Sequence, residues 1–479
     1  MSANLSQPKK NSQHPISRRK ALSHGIAAIS SVSLLPRYVI GGPGQVAPSD
    51  KLNVAVIGTG GRGTENMKEI IRQKDCRVSA ICDVSEFNDY SSFYYGGVAG
   101  RGPAKQIVDI RYESDDATKD YPKCKVFVDY RKMLEEEKGI DACIVATPDH
   151  NHTITAMDSM NLGKHVYCEK PLARTVYECR ILAECAKKNN VATQLGNQGH
   201  SGDGIRSTAE WIQDGAIGDV TEVHAWTKSR ARVGRREGFP AETMPLPEGL
   251  DWDLWLGPAK KRPYHIDYTP YTWRGWWDFG TGSMGDFFCH NADPAFWALD
   301  LGHPTSVEAT QYGNTQYTFP LASLVYYNFP ARGKMPPVKL TWYTELMPNK
   351  PEELGANEEL AGDGQGILFV GSKGKIMCPG WAGDPVLLPK SLHENYKRPA
   401  KTQKRSNGHH RDWIDACKGG EPASANFEYG GYLTEMAMLG NAAIGAGERL
   451  IWDGKNMKAT NTNKAEPFIK PEYHNGWSI

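Results

Sequence analysis

The sequence predicts an α/β protein in which a doubly wound parallel sheet precedes a domain with an open, mostly antiparallel sheet. The first half alternates short apolar runs, typical of buried parallel strands, with helical patterns. A glycine-rich loop at residues 58–63 separates the first apolar run from the first helix. The second half has longer runs of alternating polarity, the pattern of strands with one covered face.

The size and charge of the chain limit the classes of protein to which it could belong. At 479 residues it is too long for one core, and we predict an N-terminal segment (1–49), two domains (50–196 and 197–446) and a C-terminal extension (447–479). A net charge of +1 gives no electrostatic reason to expect nucleic acid as a partner. No apolar run reaches the roughly 18 to 20 residues that would span a bilayer, so we expect no stable membrane insertion.

The N-terminal segment predicts export. Arg18 and Arg19 precede a short, mildly apolar stretch, which is typical of twin-arginine signals that send folded proteins to the periplasm. The alternative is a disordered basic tail on a cytoplasmic protein. The ten cysteines show no metal-ligand spacing, and several lie in apparent buried strands. We therefore expect structural thiols and no metal site.

In the first domain we predict strands and helices that alternate along the chain. The Thr175-x-x-Glu178 sequence is a capping box that begins one helix, and residues 66–72 form an earlier one. Residues 86–123 are polar and rich in tyrosine and glycine, and we predict an enlarged surface loop there. The predicted strands are 52–57, 78–82, 142–147, 166–169 and 191–195.

In the second domain the predicted strands are 220–227, 321–329, 339–343 and 367–377, the last interrupted by a turn at 371–374. Tryptophans are concentrated between residues 211 and 277. Most of them suit core packing, but one or two flat rings could line a substrate cleft. Trp273 and the adjacent Arg274 are our candidates.

The glycine loop matches G-x-G-x-x-G, follows a strand and begins a helix. Its backbone could approach a pyrophosphate at the helix N-terminus. Asp83 ends the next strand and could accept hydrogen bonds from an adenosine ribose, which favours NAD, although Arg62 leaves NADP open. The alternative is a tight turn with no cofactor. The predicted dinucleotide-binding residues of this region are Gly58, Gly60, Gly61, Arg62, Gly63 and Asp83.

Two further strand ends are predicted to lie beside the cofactor crevice. Thr147, Pro148, His150 and His152 follow the third buried strand, where open α/β sheets bind ligands. Two histidines spaced two apart could not share a metal from one helix, so we predict that they line the cofactor or begin the helix.

Lys170 follows the next buried strand, between Glu169 and Pro171. A lysine in that position could donate a hydrogen bond or a proton at the crevice. We predict that Lys170 is catalytic and that both Glu169 and Lys170 contact the cofactor. The alternative is a surface lysine paired with Glu169.

Asp286 and His290 lie four residues apart, so on a helix they share one face. A histidine of ordinary pKa can accept a hydroxyl proton at working pH. Asp286 could orient the histidine or bind a neighbouring hydroxyl group. The alternative is that Asp286 and His290 form a purely structural pair. Asp293 lies one turn further along, where it could cap the start of the next helix.

Together these motifs resemble the Gfo/Idh/MocA family, which includes glucose–fructose oxidoreductase and inositol dehydrogenase. The resemblance rests on residues 57–63, 168–171 and 282–290, and it covers roughly residues 51–446. It implies an N-terminal Rossmann domain, a C-terminal α/β domain with an open antiparallel sheet, and homodimers or homotetramers. It also implies that Lys170 is the catalytic lysine, Asp286 a substrate-binding carboxylate and His290 the acid/base.

One segment departs from the family. The residues after the last Rossmann strand lack the arginine-rich stretch common in other members, so Asn197, Gln198 and His200 are predicted to contact substrate instead. Trp273 and Arg274 lie in an insertion that is similar to that of exported members with no assigned substrate. The substrate class therefore stays open.

The leading hypothesis is an NAD(P)-dependent oxidoreductase that removes hydride from a hydroxyl-bearing carbon of a sugar, sugar derivative or cyclitol. Because free NAD is scarce outside the cytoplasm, we expect a tightly bound cofactor. A second hypothesis is a redox-neutral glycosidase that oxidises its glycoside transiently. A third is a non-catalytic sugar-binding protein that kept the fold.

Overall fold

The computed structural model describes residues 50–479, apart from 93–94, 117, 229–241, 356, 361 and 363. The predicted export signal, residues 1–49, lies outside the described residues. The sequence from Asp50 to Ile479 forms one compact unit.

The first sheet has six strands, all parallel, in the order β5-β2-β1-β6-β7-β8. This arrangement confirms the predicted doubly wound domain. The strands are β1 (Leu52–Ile57), β2 (Cys76–Cys82), β5 (Lys125–Phe127), β6 (Ala142–Val145), β7 (His165–Cys168) and β8 (Thr193–Leu195). The helices between them are α1 (Gly61–Ile71), α2 (Arg101–Glu113), α3 (Tyr130–Glu136), α4 (Asp149–Asn161) and α5 (Val176–Asn189). Because the sheet is parallel, all six strands end at one edge, and the candidate site lies there.

The capping box is confirmed, since the hydroxyl of Thr175 accepts a hydrogen bond from the N–H of Glu178 at the start of α5. The predicted surface loop at 86–123 is wrong. It contains a short hairpin, β3 (Asn88–Asp89) with β4 (Val98–Ala99), followed by α2. Ala104, Val108 and Tyr112 are buried at intervals of four, so this stretch has a helical face that packs on the sheet.

The second sheet has nine strands in the order β15-β14-β13-β9-β12-β11-β10-β16-β17. Its neighbours are antiparallel except for β9 and β12, which confirms the predicted mostly antiparallel sheet. The strands are β9 (Val220–Thr227), β10 (Ser306–Tyr312), β11 (Ala322–Phe329), β12 (Val338–Thr344), β13 (Gln365–Gly371), β14 (Gly374–Pro379), β15 (Val386–Leu388), β16 (Leu450–Asp453) and β17 (Lys458–Ala459). Part of segment 447–479 thus joins this sheet.

Eight α-helices follow the first sheet in the described part of the chain. They are α6 (Asp203–Gln213), α7 (Trp252–Leu256), α8 (Gly282–Asn291), α9 (Asp293–Ala298), α10 (Lys390–Asn395), α11 (His409–Cys417), α12 (Phe427–Ala446) and α13 (Glu466–Ile469). The longest, α12, is buried on most sides because it packs against α5, α8 and β10. Helix α8 is buried at every position, which fixes the direction of its side chains at the site.

The ten cysteines are free, and nine of them are buried. Cys82, Cys143 and Cys168 lie in strands of the first sheet, as expected for small core side chains. Burial raises the pKa of the Cys143 thiol to about 11, which keeps it protonated. Among the described residues, no helix combines the length and apolarity needed to cross a bilayer.

Candidate active site

A cleft opens at the carboxyl ends of β1, β2, β6 and β7. Twelve of the predicted site residues line it: Gly58, Gly60, Gly61, Arg62, Asp83, Thr147, Pro148, His152, Glu169, Lys170, Trp273 and Arg274. The residues of α7 and of segment 269–274 form the opposite wall. The first sheet and the second half of the chain therefore enclose the cleft together.

The backbone of the glycine loop lies very close to other residues of the first domain. Gly58 has φ of +85°, and a Cβ there would come within 2.6 Å of the Ala146 carbonyl oxygen. At Gly61 a Cβ would overlap the ring of Tyr95, and at Gly60 it would come within 3.0 Å of the Tyr90 hydroxyl. Gly60, Gly61 and Arg62 at the start of α1 line the cleft, and no described side chain caps this helix, so its N-terminus fits the pyrophosphate of a dinucleotide.

Asp83 lies at the end of β2, where its carboxylate is held by main-chain donors. It accepts hydrogen bonds from the N–H of Thr59 at 2.6 Å and from the N–H of Ser85 at 2.8 Å. Burial raises the pKa of Asp83, and these two backbone donors oppose that shift. The carboxylate is therefore fixed at the position where a Rossmann fold binds the adenosine ribose.

Lys170 lines the cleft and contacts Asp286 of α8, whereas neither Asp286 nor His290 is among the lining residues. The ammonium group of Lys170 forms an ion pair with the Asp286 carboxylate and donates to the Asp286 main-chain oxygen at 2.8 Å. Arg274 lies on the other side of the carboxylate, with its Nε 3.6 Å from Asp286 Oδ1. The two side chains of the ion pair are 12% and 6% exposed, so solvent screens this charge cluster little.

His290 lies one turn beyond Asp286 on α8 and is 1% exposed. Neither ring nitrogen has a hydrogen-bond partner within the part of the chain that the structure describes. Burial, and then the positive charge of Lys170, hold the pKa of His290 well below its usual range. The imidazole is therefore neutral near pH 7 and retains a nitrogen that can accept a proton.

His152 and Glu169 support the cleft from the sheet side. The ring nitrogens of His152 lie 2.8 Å from the carbonyl oxygens of Pro171 and Thr147, next to the strand ends that carry the site. Glu169 accepts hydrogen bonds from the amides of Asn66 and Gln198 at 2.9 and 3.1 Å. These bonds orient the chain on both sides of Lys170.

Two residues predicted to contact the cofactor are placed behind the cleft. His150 is buried, and its ring nitrogens lie 3.2 and 2.9 Å from the main-chain oxygens of Phe279 and Trp255, so it ties α4 to the opposite wall. Gly63 lies inside α1, where a Cβ would meet the Gly58 carbonyl oxygen at 1.9 Å. A glycine at position 63 therefore allows α1 to lie close to the glycine loop.

The predicted substrate contacts after β8 also lie outside the cleft lining. The side chains of Asn197 and His200 both bond the buried carboxylate of Asp293, at 2.9 Å each. Gln198 donates to the Tyr167 hydroxyl and to Glu169. Asp293 thus binds one nitrogen each of Asn197 and His200, whereas Asn197 Oδ1, Gln198 Oε1 and His200 Nε2 have no hydrogen-bond partner among the described residues.

An aromatic lining and two carboxylates of the cleft, Asp129 and Asp149, were not predicted from the sequence. Asp149, which accepts a hydrogen bond from the Thr281 hydroxyl at 2.6 Å, lines the cleft at the start of α4. The aromatic lining residues that were not predicted are Tyr90, Tyr95, Tyr130, Trp255, Tyr271, Phe287, Trp381 and Trp477. The density of tryptophan between residues 211 and 277 signalled Trp255, whereas Trp381 and Trp477 stand alone in the sequence.

Comparisons with known proteins agree with this geometry. Two models of one oxidoreductase family, Gfo/Idh/MocA, match consecutive regions: the NAD-binding Rossmann fold over residues 52–197 and the C-terminal alpha/beta domain over residues 219–321. A solved structure of the WlbA dehydrogenase from Bordetella pertussis in complex with NADH and UDP-GlcNAcA shares the fold. It has a TM-score of 0.54, 16% identity, and coverage of 84% of this chain and 99% of that one.

Two curated relatives align over shorter regions. Inositol 2-dehydrogenase 1 of Saccharopolyspora erythraea is 30% identical over 36% of this chain and 44% of its own length. Glycosyl hydrolase family 109 protein 1 of Shewanella sp. (strain MR-4) is 27% identical over 40% of this chain and 39% of its own length. The chain thus spans less than half of each relative. With both family models matched in order over about half of its length, the chain belongs to the Gfo/Idh/MocA oxidoreductase family.

Proposed function

We propose that the protein is an NAD-dependent oxidoreductase that acts on a hydroxyl group of a sugar, sugar derivative or cyclitol. The observation that carries this proposal is the convergence of Lys170, from the end of β7, with Asp286 and His290 of α8, beside the cleft that holds the glycine loop. An acid/base and an ammonium group at a dinucleotide cleft are what oxidation of an alcohol requires.

The roles follow from the charge state of each group. Neutral His290 accepts the hydroxyl proton of the substrate, and Lys170 stabilises the negative charge that develops on that oxygen. Asp286 holds the ammonium of Lys170 and binds a neighbouring hydroxyl group. Bound NAD supplies the acceptor for the hydride that leaves the substrate carbon.

The fixed carboxylate of Asp83 supports NAD over NADP, because a 2′-phosphate beside it would be repelled. Arg62 also lines the cleft and leaves NADP as the competing cofactor. We infer that the cofactor stays bound through many turnovers. The first experiment is to denature the purified protein and identify the released nucleotide by chromatography; release of NADP would reverse the proposed preference.

A redox-neutral glycosidase is the second candidate function. The family 109 glycosyl hydrolase relative favours it, and the same residues could serve it: a glycoside is oxidised, loses its aglycone, takes up water and is reduced again. Incubation with a panel of sugars, inositols and glycosides, followed by mass spectrometry, separates the two. A keto product supports the dehydrogenase, and a hydrolysed glycoside without net oxidation supports the glycosidase.

We further infer export to the periplasm from Arg18 and Arg19, and assembly into homodimers or homotetramers from the family resemblance. Replacing both arginines with lysine should leave the protein in the cytoplasm, as measured by cell fractionation. Light scattering of the purified protein tests the assembly.

A further inference from the structure

The C-terminal residues 473–477 cross from the wall of the cleft to the first sheet. The N–H of His474 donates to the Pro258 carbonyl at 3.0 Å. The amide of Asn475 donates to the carbonyls of Gly257 and Ala259, at 2.9 and 2.7 Å. These carbonyls directly follow α7, whose Trp255 lines the cleft, so the segment is attached to the wall opposite the glycine loop.

A tight turn then directs Trp477 into the cleft. Asn475 and Gly476 have φ of +59° and +79°, and the N–H of Trp477 donates back to the His474 carbonyl at 3.0 Å. Two consecutive left-handed residues reverse the chain, which is why a glycine suits the second position. The turn leaves the indole among the cleft-lining residues.

On the far side Trp477 contacts the first domain. Its ring stacks on Tyr130, with centroids 6.3 Å apart and planes at 25°, and the Arg131 guanidinium lies 4.4 Å from its centroid. Tyr130 begins α3 after β5, the strand beside β2. Trp477 therefore lies at the Asp83 end of the cleft, whereas Lys170 marks the other end.

The Asp83 end is where a Rossmann fold binds adenosine, since the carboxylate after the second strand bonds the ribose. A base binds well against an aromatic face, and the Trp477 indole is the aromatic ring that the C-terminal segment brings to this end of the cleft. The guanidinium of Arg131 further holds the indole in place.

We propose that residues 473–477 form a clasp that retains the cofactor by holding its adenosine end, with Trp477 as the residue that contacts the base. This inference rests on the proposed use of NAD. The clasp lies outside both regions matched by the family models. It connects the two walls of the cleft, and release of the cofactor requires it to open.

The test measures cofactor release from the full-length protein. Each variant is loaded with NADH and chased with excess NAD while the nicotinamide fluorescence is followed; retained nucleotide is also measured after desalting. Trp477→Ala should release NADH at least about tenfold faster than the wild type, because loss of an aromatic contact to a base weakens binding mainly through dissociation. Trp477→Phe should restore most of the retention.

Asn475→Ala detaches the clasp without changing the indole, and it should also release NADH faster. Ile479→Ala, an exposed residue beyond the clasp, should match the wild type. Equal release rates in wild type, Trp477→Ala and Asn475→Ala would overturn the clasp while leaving the dehydrogenase intact. Failure of the wild type to bind either NADH or NADPH would reject the proposed function and the clasp together.

Discussion

The imidazole of His290 lies against the indole of Trp381, with ring centroids 3.8 Å apart and planes inclined by 27°. Trp381 follows β14, and its N–H donates to the side chain of Asn291, the residue after His290, at 3.2 Å. The indole is 38% exposed and the imidazole 1%, so the tryptophan separates the histidine from solvent. This cover adds to the burial on α8 that lowers the pKa of His290.

The first prediction concerns the pH dependence of oxidation. A protonated imidazole cannot accept a proton, so activity should be lost as the pH falls through the pKa of His290. Because burial holds that pKa well below 6.5, the acid limb of kcat/KM should lie below pH 6.5. The profile is measured with the preferred sugar at saturating NAD. A wild-type limb at or above pH 6.5 would contradict the assignment, and His290→Gln should lower kcat/KM by about 10² to 10⁴.

The second prediction concerns the cover itself. Trp381→Ala should admit water to His290, raise its pKa and move the acid limb of kcat/KM to higher pH. Trp381→Phe keeps an aromatic face over the imidazole and should keep the limb near its original position. Neither replacement adds backbone strain, because the tryptophan at position 381 already has φ of +62°. Identical profiles for wild type and Trp381→Ala would show that the indole does not control the hydration of the base.

The fold was largely predictable because its determinants are local. Apolar runs followed by a glycine loop or a single aspartate mark parallel strands and the edge at which they end. Helix α2 was missed because a polar, glycine-rich hairpin precedes it, and its buried residues, Ala104, Val108 and Tyr112, are few. The polar composition of the whole stretch indicated a loop, whereas the spacing of these three residues indicated a helix.

The site was predictable only in part because its contacts are not local. Lys170 and Asp286 are 116 positions apart, and only the resemblance to a family put them together. The substrate contacts of Asn197 and His200 stay a prediction, and nothing in the sequence shows that Asp293 binds a nitrogen of each. Trp381 lies in a glycine-flanked loop with no periodic pattern, so only its position over His290 reveals a role.

The third prediction separates chemistry from cofactor binding. Lys170→Ala should reduce turnover by at least about 10²-fold, because no ammonium would stabilise the developing alkoxide. Nucleotide content should stay near that of the wild type, since the glycine loop and Asp83 are unchanged.

Removing one member of a buried ion pair also costs about 3–5 kcal/mol of stability, so thermal melting is recorded in parallel. Lys390→Ala, at a side chain 81% exposed, is the control for loss of a lysine. A Lys170→Ala protein with full turnover would reject the catalytic role.

The fourth prediction tests why Gly63, which does not line the cleft, is a glycine. A Cβ there would lie 1.9 Å from the Gly58 carbonyl oxygen, a main-chain atom just after β1, and 3.2 Å from the Ala146 Cβ, just after β6. Gly63→Ala should therefore push α1 away from β1 and destabilise the protein by about 1–3 kcal/mol, seen as a lower midpoint of thermal or urea unfolding. Gly139→Ala is the matched control, because a Cβ at Gly139 meets no atom within 4 Å. Equal midpoints for the two variants would mean that the loop moves aside at no cost in stability. The close approach of helix and strand would then not explain the glycine at position 63.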